Sequence, residues 1–158
     1  GLVMGNTWYW PAEGLMMNSF GMMMSTPPIQ WLIRSKNFFV ERLIPMGLGT
    51  KLSEAEMDHY RQVQPRGLRE GAAVFPKAIR GSKDWMRGLE QRVRERLLDK
   101  PLLLTWGMGD FAFKPATNIP RWQRDFPGAR VVELPNAKHF IQEDAPDEIA
   151  AAIREQYG

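Results

Sequence analysis

The sequence predicts an α/β fold in which parallel strands are covered by helices and a helical segment is inserted between the first strand and the second. Three observations lead there. Short apolar runs rich in branched residues recur at Leu2 to Met4, Leu102 to Trp106 and Val131 to Leu134, each followed by a turn signal. The run Leu102-Leu103-Leu104-Thr105-Trp106 is nearly continuous rather than alternating, as in a parallel strand buried on both faces at the centre of a sheet. The long stretch between the first and second runs carries helical patterning but no strand, and is too ordered to be a loop.

In chain order, Gly1-Leu2-Val3-Met4-Gly5 reads as a buried strand already under way, so further sequence is expected before it. Pro27-Pro28 and Pro45 to Gly49 are expected to break the helices beside them. Ser53-Glu54-Ala55-Glu56 is a capping box, in which a hydroxyl and a carboxylate satisfy orphan backbone donors at a helix start. Ser82 to Leu98 predicts the longest helix, with a mixed-charge face. The last segment, Asp144 to Tyr157, places Ile149, Ala152, Ile153 and Gln156 at helical spacing, with Asp144 expected as N-cap and Pro146 in the first turn. The expected organisation is a core strand in residues 1–10, a helical lobe in 11–98, and the remaining core strands and helices in 99–158.

Composition narrows the function classes. Of 158 residues, 44% are hydrophobic and 25% charged, enough apolar surface for a packed core. The net charge of +3 includes a cluster at Arg87, Arg92, Arg94, Arg96 and Lys100, but Glu90, Glu95 and Asp99 interrupt it, which argues for a solvated helix face and against a nucleic-acid partner. There is no run of about eighteen apolar residues and no signal-peptide pattern, so no membrane partner is expected. The absence of cysteine excludes thiolate catalysis and disulfides and is compatible with a cytoplasmic location. No metal site is expected. His59 lacks a second ligand at zinc spacing, and Met16, Met17, Met22, Met23 and Met24 lack the His or Cys partners a copper site would need, so gap-filling between helices is their expected use.

Two residues carry candidate chemistry. His139 lies between the last strand and the last helix, where a neutral imidazole can take a proton from a nucleophile or water. Asp110 closes Trp106-Gly107-Met108-Gly109-Asp110, and the glycines let the backbone turn sharply at the strand tip. A carboxylate bonded to an imidazole fixes its tautomer and stabilises the imidazolium. Open α/β sheets place ligands at the carboxyl ends of their strands, so these two can converge although 29 positions apart.

The segment from Asp110 to Ile149, above all His139-Phe140-Ile141-Gln142-Glu143-Asp144-Ala145-Pro146-Asp147, resembles the end of a haloalkane dehalogenase of the α/β-hydrolase superfamily. Phe38-Phe39-Val40-Glu41-Arg42-Leu43-Ile44-Pro45 and Leu52-Ser53-Glu54-Ala55-Glu56-Met57-Asp58-His59-Tyr60-Arg61 agree with the cap of that family. The resemblance implies the C-terminal half of the fold, parallel strands with an inserted helical cap, without the N-terminal strands and the nucleophile elbow. It also implies detoxifying cleavage of small halogenated hydrocarbons. In the family an aspartate displaces halide and the resulting alkyl ester is hydrolysed by a histidine-activated water, with no cofactor. His139 is then the base and Asp110 its acid. Some members carry the acid after the preceding core strand; here that position is Asn6, which holds no charge.

The family's nucleophile and halide donors are expected before Gly1. No G-x-S-x-G elbow occurs, and Asp84-Trp85, the one Asp-Trp pair, reads as a helix start. The chain alone is therefore expected to be inactive. Trp8, Trp10, Trp31 and Trp85 are candidate halide donors, though packing is the commoner use of indole. Phe38, Phe39, Leu43 and Ile44 either line an apolar substrate pocket or form the core of the cap. Alternatives are an epoxide hydrolase, disfavoured because only Tyr60 is a credible cap tyrosine, a serine esterase, and a non-catalytic interaction fragment that self-associates through an exposed sheet edge at Leu2 to Met4.

Overall fold

Three strands, β1 (Leu2–Gly5), β2 (Leu102–Gly107) and β3 (Arg130–Leu134), form one parallel sheet in the order β1-β2-β3. The computed structural model describes residues 1–12 and 14–158; the side chains of Leu15 and Met16 lie outside that description. The ladder aligns Gly5 with Thr105 on one side of β2 and Gly107 with Leu134 on the other, so the carboxyl ends of all three strands open at one end of the sheet. Every residue of β2 is buried, which explains why its sequence does not alternate.

The helices are α1 (Leu15–Met24), α2 (Pro27–Lys36), α3 (Ile44–Met46), α4 (Glu54–Val63), α5 (Glu70–Gly81), α6 (Lys83–Arg96), α7 (Pro115–Asp125), α8 (Ile141–Asp144) and α9 (Pro146–Tyr157). The chain divides into two compact units. The first holds Gly1–Trp8, Gly47–Lys51 and Arg92–Gly158, and the second holds Tyr9–Met46 and Leu52–Gln91. No helix among the described residues is long and apolar enough to cross a membrane.

In the sheet unit, α7 and α9 pack on β2. Trp122 of α7 donates its indole N–H to the Thr7 carbonyl at 3.0 Å, and the Tyr157 hydroxyl reaches the carbonyls of Leu2 and Pro101 at 2.8 and 2.9 Å. Helices α7 and α9 are thus each tied by a side-chain donor to backbone carbonyls in or beside β1 and β2. A second cluster, Leu134, Ala137, Ile141 and Ala145, fills the space beneath the segment after β3, with Val132 and Ile149 against it.

The helical unit is built around Met24, Ile33 and Ala73 from α1, α2 and α5. Met24 is fully buried there while Met22 and Met23 are more than half exposed, so the methionine-rich segment supplies one gap-filler rather than a wall of thioethers. Ser53 caps α4 as its sequence predicts, accepting from the Glu56 N–H while the Glu56 carboxylate accepts from the Ser53 N–H at 2.7 Å. Arg61 of α4 reaches Glu41 through two hydrogen bonds, at 2.9 and 3.2 Å, and also meets Glu54 and Asp58, so the Phe38-to-Pro45 and Leu52-to-Arg61 motifs are joined by one guanidinium. These carboxylates push the Arg61 pKa above its already high ordinary value, led by the bond to Glu41.

The helical run through the π-helical turn at Phe39–Leu43 and α3 ends at Met46, inside the Pro45-to-Gly49 segment expected to break it, with Pro45 itself accommodated in α3. The wider turn drops the i to i−4 bond that a proline nitrogen cannot make. One expectation for a helix end is corrected: Asp144 does not cap the last helix. The N-cap position of α9 is Ala145, with no side-chain cap, because the Asp144 carboxylate is engaged elsewhere.

Candidate active site

Asp110 lies three residues beyond the tip of β2, in a turn closed by its own N–H donating to the Gly107 carbonyl at 3.1 Å. Its side chain is fully buried, which demands that both carboxylate oxygens be satisfied. They are. Oδ1 accepts from the N–H groups of Ala112 and Phe113 at 2.7 and 3.0 Å, and Oδ2 lies 3.0 Å from Nδ1 of His139. An ionised carboxylate only accepts, so Nδ1 carries the proton and Nε2 keeps its lone pair. The imidazole is 28% exposed, open enough to exchange a proton with a reactant. The two residues that the strand-tip argument pairs are therefore in direct contact, each on its own strand end.

The segment carrying His139 is fixed mainly through its backbone. The N–H groups of His139 and Phe140 donate to the Gly47 carbonyl at 2.9 and 3.2 Å, and Gly109 N–H donates to Ala137 at 3.0 Å. Gly107 is required for this approach, because a Cβ there would overlap the Lys138 carbonyl. Around the ring, Phe113 stacks on the imidazole with centroids 5.3 Å apart and 29° between planes, Trp8 stacks on Phe113 at 4.7 Å, and Phe140 meets His139 edge-on at 5.0 Å. Phe113 thus has three jobs: its N–H holds Asp110, its carbonyl accepts from the Trp106 indole at 3.0 Å, and its ring covers one face of His139.

Asp144 gathers the segment from below. Its carboxylate accepts from Gly49 N–H at 2.9 and 2.8 Å, from Thr50 N–H and Oγ1 at 3.0 Å each, and from Lys138 N–H at 2.9 Å. Burial alone would raise its pKa, but the donors of Lys138, Gly49 and Thr50 together outweigh burial and hold it below the usual aspartate value. A depressed folded-state pKa contributes stability above the ordinary aspartate range, and that stability is lost as pH falls through the folded value. Asp144→Asn should therefore lower unfolding free energy by about 1–3 kcal/mol at neutral pH. The gap from the parent should narrow below about pH 4. Urea unfolding at a series of pH values measures this, and a gap that stays constant down to acid pH would remove the charge from the account.

The remaining candidates separate. Phe38, Phe39 and Leu43 are partly buried against the Met24, Ile33 and Ala73 cluster, and Ile44 is partly buried at the start of α3. Trp31 and Trp85 are more than half exposed, and Trp10 is buried in the helical unit. Trp8 has a buried indole N–H that meets no acceptor among the described residues. Asp84 sits in the first turn of α6, paired with Arg87, with α5 rather than a strand before it. Sequence reasoning did not single out Phe113 or the bridging role of Asp144. Phe113 had a usable signal, since an Asp whose side chain turns back to the N–H groups two and three residues on places the third residue beside its carboxylate.

Comparison with known proteins places the chain by sequence and by fold. The haloalkane dehalogenase 2 of Mycobacterium bovis is 54% identical over 159 aligned residues, which take in 100% of this chain and 56% of the relative. The chain thus spans little more than half the length of the curated relative it matches. A crystal structure of DbjA, the variant designated delta, superposes with a TM-score of 0.74 at 25% identity, covering 87% of this chain and 49% of that one. The haloalkane dehalogenase DbeA from Bradyrhizobium elkani gives a TM-score of 0.73 at 24% identity with the same coverage, a likeness of fold. The family profile described as alpha/beta hydrolase fold matches residues 25–146, most of the chain. With its parallel sheet and its acid and histidine at successive strand tips, the chain belongs to the α/β-hydrolase fold family.

Proposed function

We propose that this chain is the acid- and base-bearing part of a hydrolytic haloalkane dehalogenase acting on small halogenated hydrocarbons. The observation that carries the reading is the 3.0 Å contact between Asp110 and Nδ1 of His139, in a chain similar over its whole length to haloalkane dehalogenase 2. In the reaction, a carboxylate outside this chain attacks the carbon bearing the halogen, and halide leaves with the bonding pair. An alkyl ester results. Nε2 of His139 then takes a proton from a water whose oxygen attacks the ester carbonyl, and the alcohol departs as the carboxylate re-forms. Asp110 holds the ring in the tautomer that frees Nε2 and stabilises the imidazolium formed.

The second compact unit acts as the cap in this reading, with Phe38, Phe39, Leu43 and Ile44 supplying apolar surface to an apolar substrate. Trp8 is the halide donor we favour, since it combines an unpaired buried N–H with membership of the same unit as His139. A full-length protein containing these residues should release halide from 1-bromoalkanes in step with alcohol. Turnover of epoxides or of nitrophenyl esters with no halide release would replace the reading by an epoxide hydrolase or an esterase.

The 158-residue chain alone is proposed to lack turnover and to self-associate. The second point rests on β1, which pairs only with β2 among the described residues and exposes 38% of Val3. Light scattering after size exclusion should give a mass above the 18.2 kDa of one chain. A clean monomer at micromolar concentration would withdraw the proposal.

A further inference from the structure

We infer that Asn6 is a positioning residue for His139, holding the main chain that carries the imidazole by means of a fully engaged side-chain amide. Asn6 follows β1 directly and is only 7% exposed, and its backbone adopts φ 42°, in the left-handed region that asparagine tolerates better than most residues. The turn carries the main chain away from the sheet one residue after the last ladder pair, Gly5 with Thr105. The side chain takes over where the ladder stops. Its Oδ1 accepts from the Gly107 N–H at 2.9 Å, and its Nδ2 donates to the Lys138 carbonyl at 2.6 Å and the His139 carbonyl at 3.2 Å. The partners settle the orientation of the amide, since an N–H can only donate and a carbonyl can only accept.

Asn6 therefore works as an extra peptide group laid across two strand tips and the histidine segment. The His139 N–H is held by the Gly47 carbonyl, and the His139 carbonyl by Asn6, so the residue is tied on both sides of its Cα. Asp110 then needs to fix only the ring. Removing the amide leaves two carbonyls and one N–H to find other partners, and the segment gains freedom just where the imidazole must stay within hydrogen-bond reach of Asp110. An apolar side chain could not replace it, and a carboxylate would face two carbonyl oxygens.

The consequence for turnover rests on the proposed dehalogenase reading, but the positioning itself is testable on this chain. It has only two histidines, and the other, His59, is exposed on α4. In the parent, nitrogen-15 spectra of the histidines should show His139 as the Nδ1–H tautomer when neutral. The Asn6 Nδ2 protons should exchange with solvent about tenfold more slowly than those of exposed Asn136, the population equivalent of one buried hydrogen bond. Asn6→Gly keeps the left-handed backbone accessible while deleting the amide, so the protection of the His139 N–H should fall about tenfold and its tautomer become mixed, with His59 unmoved. If Asn6→Gly does not fold, Asn6→Ser, which keeps one hydroxyl partner, is measured the same way. Rapid exchange of the parent Asn6 amide, or unchanged His139 protection and tautomer in a folded variant, overturns the inference. In the full-length enzyme, a fall in kcat with KM held would extend it to catalysis; absent dehalogenation in the parent would instead sink the functional reading and leave the spectra to decide the positioning.

Discussion

Replacing His139 by glutamine or phenylalanine in a full-length enzyme containing this chain should leave halide displacement running for one turnover and stop it there. Displacement needs only a carboxylate already ionised at neutral pH, whereas hydrolysis of the alkyl ester needs a base to activate water. Nε2 of His139 is the nitrogen left unprotonated by the Asp110 contact, and its ring is partly open to solvent. Loss of a general base costs roughly 10²–10⁴ in the step it serves. The alkyl-enzyme should accumulate, with one equivalent of halide and little alcohol. Intact mass spectrometry after incubation with a bromoalkane would show the added alkyl group. An unmodified protein that also releases no halide would assign His139 to the first step or to folding, and sustained alcohol production would end its catalytic assignment.

The second large effect is expected at Asp110. In Asp110→Asn, the amide oxygen satisfies the N–H groups of Ala112 and Phe113, which turns the NH₂ toward Nδ1 of His139. A donor there forces Nδ1 to accept, so the ring holds its proton on Nε2, where water activation needs a lone pair. Asp110→Ala removes the partner altogether and leaves two buried N–H groups unpaired. Either change should lower kcat by about 10³–10⁴. Asn6→Ala loses hydrogen bonds but no charge, and its loss should be nearer ~10-fold. Losses that are equal, or reversed in order, would withdraw Asp110 as the charge partner of the imidazole.

Much of this arrangement was legible in the sequence because it rests on backbone periodicity and turn chemistry. The apolar run of β2 and the strand at Arg130–Leu134 stand where the pattern places them, and the Ser53–Glu56 cap forms as the motif dictates. Asp110 and His139 were legible as a pair because parallel strands deliver their following residues to one end of a sheet. What the sequence did not reveal was long-range hydrogen bonding by residues with a plausible local use. Asp144 reads as a helix cap and instead clasps Gly49, Thr50 and Lys138. Asn6 reads as a neutral substitute for an acid and instead spans 132 positions to Lys138. Phe113 carries no reading of its own in the sequence, and only three-dimensional placement shows it stacked on the imidazole. The Pro45-to-Gly49 segment ends its helix as the pattern expects, but nothing in a local pattern announces the π-helical turn that lets Pro45 sit inside α3.

The most direct test of the account is to measure halide and alcohol released from a 1-bromoalkane by this chain alone and by the same residues joined to the preceding half of the fold. Under the proposed reading the chain alone should release neither above background, because that reading assigns the attacking carboxylate to the preceding half. The joined protein should release both in equal amounts and lose alcohol formation when His139 is replaced by glutamine. Halide release by the purified chain alone that disappears on mutating one of its own residues would contradict the account, because the nucleophile would then lie within these 158 residues.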